Sequence, residues 1–288
     1  MGTARGALTL LLISLNVIFW TLPLLLVHFI KLLLPASAWR AFWSTLQNRM
    51  GAAWISFNNL NLRLTNPVRW EVSGMEGLRT DRWYLVVANH QSWVDILTLQ
   101  RVFNGKIPFL KFFLKKELFW VPFMGLAWWA LDFPFLARSA TASKDLAAIR
   151  KSTEKFRIVP VSVMNFAEGT RFRPEKHQKQ GSRYRHLLKP KAGGLTFVLN
   201  AMGGELDSIL DVTIAYPGGA PSLWEFLCGE VEEIRVHVAA MPVTGDLLGD
   251  YAADKAYRRR FSSWLNGWWA EKDRRLGALL EDGTADPE

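Results

Sequence analysis

The sequence predicts an α/β fold, a mixed sheet flanked by helices, preceded by membrane-embedded helices at the N-terminus. Three observations carry that expectation. From Ala7 to Ile30 the chain holds no Asp, Glu, Lys or Arg over 24 residues. Beyond Leu60, short apolar stretches of strand character alternate with segments of helical spacing, the pattern of a sheet covered by helices. At 288 residues the chain is long enough to bury a full core.

The Ala7–Ile30 segment reaches about 36 Å as a helix, enough to cross a hydrocarbon layer of roughly 30 Å. Only Arg5 precedes it, whereas Lys31, Arg40, Arg49 and Arg63 follow. By the positive-inside bias a spanning segment leaves the rest of the chain in the cytoplasm, on an inner membrane. Two other readings stay open. One is a cleaved secretory signal ending at the "ASA" of 36–38, although a signal core is only about 7–15 residues long. The other is a helix bent near Pro23 that re-enters the same leaflet.

Residues 39–57 follow with Trp39, Phe42, Trp43, Leu46, Met50, Ala53, Trp54 and Phe57 at helical spacing and Arg40, Gln47, Asn48 and Arg49 opposite. Such a helix suits either a core or a bilayer interface. The chain carries 14 Trp, which favour places where one edge is apolar and the other wet. The single Cys228 excludes an internal disulfide. A formal charge of +9 points to an anionic partner, and no recognition-helix, zinc-finger or RNP pattern argues for nucleic acid. Lipid is the better match.

"LNLRLT" and "VRWEVSG" alternate at period two around Asn66-Pro67, which predicts a hairpin. Further strands are expected at 83–88, 156–166, 208–216 and 232–241, with helices near 92–103, 143–155 and 191–203. The divisions that follow are an anchor over 1–58, a globular domain over 59–250, and a basic amphipathic helix and tail over 251–288. In that last part, Phe261, Trp264, Leu265, Trp268 and Trp269 share one side among arginines, to lie on anionic lipid or to pack on the domain.

The chemistry concentrates at two strand ends. In "VVANHQSWVDIL", His90 stands where a strand stops, and Asp95 follows five residues on. Histidine accepts a proton near neutral pH, and a carboxylate on its other ring nitrogen fixes the tautomer. Five residues on one helix would point about 140° apart, so the pair requires a turn between them. Ser92 and Asp95 also make a capping-box pattern at a helix start. Downstream, "NFAEGTRFRPEK" gathers Glu168, Gly169, Thr170 and Arg171 after another apolar strand. Arginine there suits a bidentate phosphate contact, and glycine lets the backbone turn. Arg171 to Lys191 holds eight Lys or Arg and one Glu. Between the two motifs, long apolar runs carry Lys111, Lys115, Lys116 and Arg138, which suits an acyl chain on a phosphate-bearing molecule or a core with snorkelling cations.

"NHQSWVD" resembles the NHxxxxD signature of the glycerolipid acyltransferases, the lysophosphatidic acid acyltransferase-like superfamily. "FAEGTR" is similar to that family's FPEGTR, "FLAR" ending at Arg138 to its F-I-x-R block, and "VTIAYP" ending at Pro217 to its last block. The likeness covers residues 68–217. It implies that His90 deprotonates the free hydroxyl of a lysophospholipid, with Asp95 supporting it. Glu168, Gly169, Thr170 and Arg171, with Arg138 and assisted by Lys116, would hold the acceptor phosphate. It implies no cofactor and no metal, the acyl group arriving on coenzyme A or an acyl carrier protein and passing directly to the acceptor. Two positions depart: Ala167 replaces a proline, and Asp132 stands where the family often has glycine. Asp132 leaves another acceptor open, such as lysophosphatidylglycerol or a lyso-aminolipid, and the alternative to catalysis is a non-catalytic lipid-binding membrane protein on the same fold.

Overall fold

The computed structural model describes residues 2–136 and 152–281. Two long helices come first, α1 (Gly2–Leu32) and α2 (Ser37–Thr65). The short link between them makes an antiparallel pair. Its cross-links run in opposite order along the two helices: Asn61 Nδ2 donates to Thr9 O at 3.2 Å, Asn16 Nδ2 to Asn58 Oδ1 at 2.8 Å, and Lys31 Nζ to Gln47 Oε1 at 2.5 Å.

The pair is polar inside and apolar outside. Thr9, Thr21, His28 and Lys31 of α1 are buried, while Leu11, Leu15, Phe19, Leu22, Leu26 and Phe29 are exposed. On α2 the buried line is Gln47, Gly51, Trp54, Ile55, Asn58 and Leu62. Phe42 and Phe57, expected on the same apolar face as Trp54, point outward instead. Thr9 and Thr21 bond carbonyls of their own helix, His28 bonds Ala130 O, and Asn16, Lys31 and Asn61 reach across to the partner helix, so the apolar faces are left for a surrounding that asks for no hydrogen bonds.

Both ends of α1 rest on the globular part. Gly6 passes so close to Cys228 that a Cβ there would lie 2.7 Å from its Sγ. At the other end Lys31 Nζ pairs with Asp132 Oδ2 at 2.5 Å. Midway, Thr21 Oγ1 reaches Phe123 O at 3.4 Å.

The expected hairpin at 60–73 is not formed. "LNLRLT" is the last part of α2: Leu60, Leu62 and Leu64 alternate as in a strand, but Phe57, Leu60 and Leu64 also share one face at helical spacing. The helix ends at Asn66, whose φ of −129° and ψ of 108° are the extended backbone that a following proline favours. The second helix of the N-terminal pair therefore runs to Thr65.

The main sheet has six strands in the order β1-β8-β7-β2-β6-β3. They are β1 (Arg69–Ser73), β2 (Trp83–Ala88), β3 (Leu110–Phe112), β6 (Ser162–Phe166), β7 (Leu206–Ala215) and β8 (Glu233–Pro242). All neighbours are parallel except β7 and β8. β4 (Leu114–Lys115) and β5 (Phe135–Leu136) form a small separate ladder. "WYLVVA" is continuously apolar because β2 is buried on both faces. Tyr84, Val86 and Ala88 pack under α1, α2, α3 (Val94–Phe103) and α4 (Met124–Ala130). Leu85 and Val87 face the other layer, which includes α6 (Ala192–Met202) and α8 (Lys255–Glu281).

The strand expected over 156–166 is confined to 162–166, with 152–156 helical. The rest of the helix expected near 143–155 lies outside the described residues. The C-terminal helix packs on the domain: Phe261, Leu265, Trp268 and Trp269 are buried. Two short helices complete the layers, α5 (Pro174–Gln180) and α7 (Leu223–Cys228).

Candidate active site

The parallel strands β2, β6 and β7 end together, and loops leaving the carboxyl ends of parallel strands are where such sheets place their sites. Asn89, the first residue past β2, is fully buried. Its Nδ2 donates to Ile214 O and its Oδ1 accepts from Ile214 N, both at 2.8 Å. This side chain continues the ladder where the main chain leaves it, and so fixes the next residue, His90.

His90 Nδ1 lies 2.8 Å from Asp95 Oδ2, and the imidazole stacks on Phe166 with centroids 3.9 Å apart and planes 15° apart. Residues 90–93 are not helical, which lets Asp95 in the first turn of α3 fold back on His90. The same Asp95 Oδ2 accepts the amides of Gln91 at 2.6 Å and Ser92 at 2.9 Å. Its Oδ1 accepts the Tyr216 hydroxyl at 2.6 Å. An ionised carboxylate only accepts, so Nδ1 carries the proton and Nε2 keeps its lone pair. Burial, with the Asp95 charge beside it, raises the Tyr216 phenol well above its ordinary range and keeps it a donor. The helix-start and orienting roles thus share one carboxylate. Ser92 Oγ completes the turn, accepting from Val94 N at 3.1 Å and donating to Pro221 O.

Glu168 is fully buried, and both of its oxygens are taken by main chain. Oε1 accepts from His90 N and Oε2 from Leu188 N, each at 2.8 Å. Burial pushes this carboxyl up to about 8, with the two amide bonds opposing the shift. Grouped in sequence with the phosphate ligands, it is placed instead as the tie between the His90 loop, its own turn and the 188 loop.

Gly169 takes φ +69°, which needs glycine beside the crowded Lys191 side chain. Thr170 Oγ1 accepts from Lys176 Nζ at 2.5 Å. The Arg171 guanidinium lies over Trp93, its Cζ 4.8 Å from the ring centroid. Phe172 N donates to His90 O at 2.7 Å, which holds this turn directly beside the histidine.

Lys116 opens an exposed 3-10 turn (Lys116–Trp120) after β4, and among the described residues it makes no hydrogen bond to the residues around His90. Arg138 lies outside the described residues. Asp132 takes φ +57°, a conformation natural to glycine and tolerated by aspartate. Its carboxylate pairs with Lys31 and, at 2.7 Å, with Lys155, and these neighbours hold it down at about 2 against the opposing effect of burial.

Four residues at the site were not singled out by sequence: Asn89, Trp93, Lys191 and Tyr216. Tyr216 had a signal, since it precedes Pro217 at the end of an apolar strand. The other three had none beyond proximity to a motif.

The family description "Acyltransferase" matches residues 69–217, more than half of the chain. Lysocardiolipin acyltransferase 1 of Danio rerio is 28% identical over 302 residues, 98% of this chain and 73% of the relative. The human 1-acyl-sn-glycerol-3-phosphate acyltransferase gamma is 27% identical over 203 residues, 66% of this chain and 51% of the relative. The crystal structure of the 1-acyl-sn-glycerophosphate (LPA) acyltransferase PlsC from Thermotoga maritima superposes with a TM-score of 0.54 at 19% identity, over 96% of this chain and 98% of that one. With the matched region running from β1 to the proline after β7, and with the His90 and Glu168 turns bonded to each other inside it, the chain belongs to the glycerolipid acyltransferase family.

Proposed function

We propose that the protein transfers a fatty acyl group from a thioester of coenzyme A or acyl carrier protein to the free hydroxyl of a lysophospholipid, with 1-acyl-sn-glycerol 3-phosphate giving phosphatidic acid. The observation that carries this reading is the His90 imidazole, held at Nδ1 by a buried, fully bonded carboxylate and left with an accepting Nε2. Nε2 takes the hydroxyl proton as the oxygen attacks the thioester carbonyl. The tetrahedral adduct collapses, the C–S bond breaks, and the imidazolium returns its proton to the leaving thiolate. Asp95 stabilises the imidazolium in between. Arg171, with the turn at Gly169 and Thr170 and with Arg138, holds the acceptor phosphate. Lys116 adds a cation at the approach.

The exposed apolar faces of α1 and α2 support seating in a bilayer. The contacts of α1 with the domain at Gly6, Thr21 and Lys31 support a seat along one leaflet, and we place it on the cytoplasmic side of the inner membrane, the side that the basic residues after α1 favour.

Purified protein given an acyl thioester and lysophosphatidic acid will release free thiol. His90→Ala will lower that rate by roughly 100- to 10,000-fold, the usual worth of a general base. An unchanged rate refutes the assignment. A lysocardiolipin-type acceptor is the second reading, favoured by the name of a relative that aligns with 98% of the chain. Screening acceptors with the donor fixed, scored by lipid mass spectrometry, separates the two.

A further inference from the structure

Three consecutive residues beside His90 each carry a cation. Lys191 Nζ lies over Gly169, 3.3 Å from where a Cβ would stand. Lys176 Nζ sits on Thr170 and Arg171 on Trp93. Two of the heads stand over adjacent residues, whose Cα atoms are about 3.8 Å apart, and the third belongs to the next residue in the chain. Among the described residues no carboxylate is bonded to any of them, and the adjacent Glu168 has both oxygens committed to amides. Like charges brought together without a counter-charge repel, so such a cluster is a site for an anion. One phosphate is matched by the fork of Arg171, whose plane the Trp93 ring fixes. That leaves two ammonium groups over the Gly169–Thr170 turn, contributed by α5 and by the residue before α6, both outside the blocks on which the family resemblance was read.

We propose that Lys176 and Lys191 form a second anionic subsite, which takes a phosphate additional to the acceptor phosphate held by Arg171. The inference rests on the reading of the 169–171 turn as a phosphate site. Two substrates offer that chemistry: an acceptor whose headgroup carries two phosphates, and the nucleotide of a coenzyme A thioester.

The test uses the full chain in detergent and compares wild type with K176Q/K191Q, of which Lys191 is exposed and Lys176 half-buried. Specificity constants are measured for lysophosphatidic acid and monolysocardiolipin, each with palmitoyl-coenzyme A and with S-palmitoyl pantetheine. An acceptor subsite is supported when the variant loses at least about tenfold more on the two-phosphate acceptor than on the one-phosphate acceptor, with either donor. A donor subsite is supported when the excess loss follows coenzyme A and disappears with pantetheine. An equal loss in all four pairings, or none, overturns the proposal.

Calorimetric titration with inorganic pyrophosphate and with inorganic phosphate gives a readout free of catalysis. The variant should weaken pyrophosphate by about tenfold more than phosphate, and equal weakening overturns the subsite. Absence of acyl transfer by the wild type would refute the proposed function and leave this second measurement to decide the subsite on its own.

Discussion

At the scale of single residues, Asn89, Asp95 and Glu168 hold the main chain around His90 in place. Tyr216→Phe removes the one hydroxyl on Asp95 Oδ1 and leaves a buried carboxylate oxygen without its donor. Such a loss costs about 1.5–3 kcal/mol, so kcat should fall by roughly ten- to a hundredfold while the fold persists by circular dichroism. Glu168 makes a prediction in pH. Its carboxyl, raised from 4.5 to about 8, binds more protons folded than unfolded between those values. Its contribution to stability is therefore complete below about 4.5 and is lost as pH rises through about 8. The melting temperature of wild type relative to Glu168→Gln should decline from pH 5 to pH 9, and a flat difference contradicts the shift. His90 and Asp95 were legible in the sequence because they lie within one turn of chain. Tyr216 and Asn89 were not, because their partners are 121 and 125 residues away and only the sheet brings them together. Glu168 was legible as a site residue, but its role was not, since its second partner is the amide of Leu188, which has no side-chain signature.

Among the elements, the link between α1 and the strand β5 is the informative one. Asp132 combines a left-handed backbone with ion pairs to Lys31 of α1 and to Lys155, just before the β5 strand that leads toward Arg138. Breaking a largely buried pair costs about 3–5 kcal/mol. Asp132→Ala should lower unfolding stability by roughly that amount, measured by denaturation in detergent. Asp132→Asn should be milder by about 1 kcal/mol, because asparagine tolerates the positive φ. Sequence named Asp132 as a departure without indicating its partners, which lie 101 and 23 residues away. Periodicity located β2, β7, β8, α3 and α6 well, where apolar runs were long or bounded by turn residues. It failed at "LNLRLT", where a leucine spacing fits both periods and only the packing of Leu62 against the core chooses the helix.

For the molecule as a whole, the polar-inside helix pair decides how it meets a membrane. An α1 that crossed the bilayer would place its two ends on opposite sides, yet both ends touch one domain. In a Cys228→Ala background, cysteines introduced at the exposed positions Thr3 and Ser37 should react with an impermeant maleimide from the same side of sealed vesicles. Labelling from opposite sides would restore a spanning helix. The apolar run was plain in the sequence, but its orientation was not, because length and hydropathy are the same for a helix that crosses and one that lies flat.

Seated as proposed, with α1 and α2 in one leaflet, the protein also has a mechanical consequence for the lipid layer. Each turnover converts a single-chain, wedge-shaped lipid into a two-chain, cylindrical one without moving it across the bilayer. The leaflet holding α1 and α2 therefore gains acyl cross-section while the opposite leaflet gains none. Sustained turnover bends the membrane toward the far side until lipids are translocated, which couples the enzyme's output to the rate of transbilayer exchange.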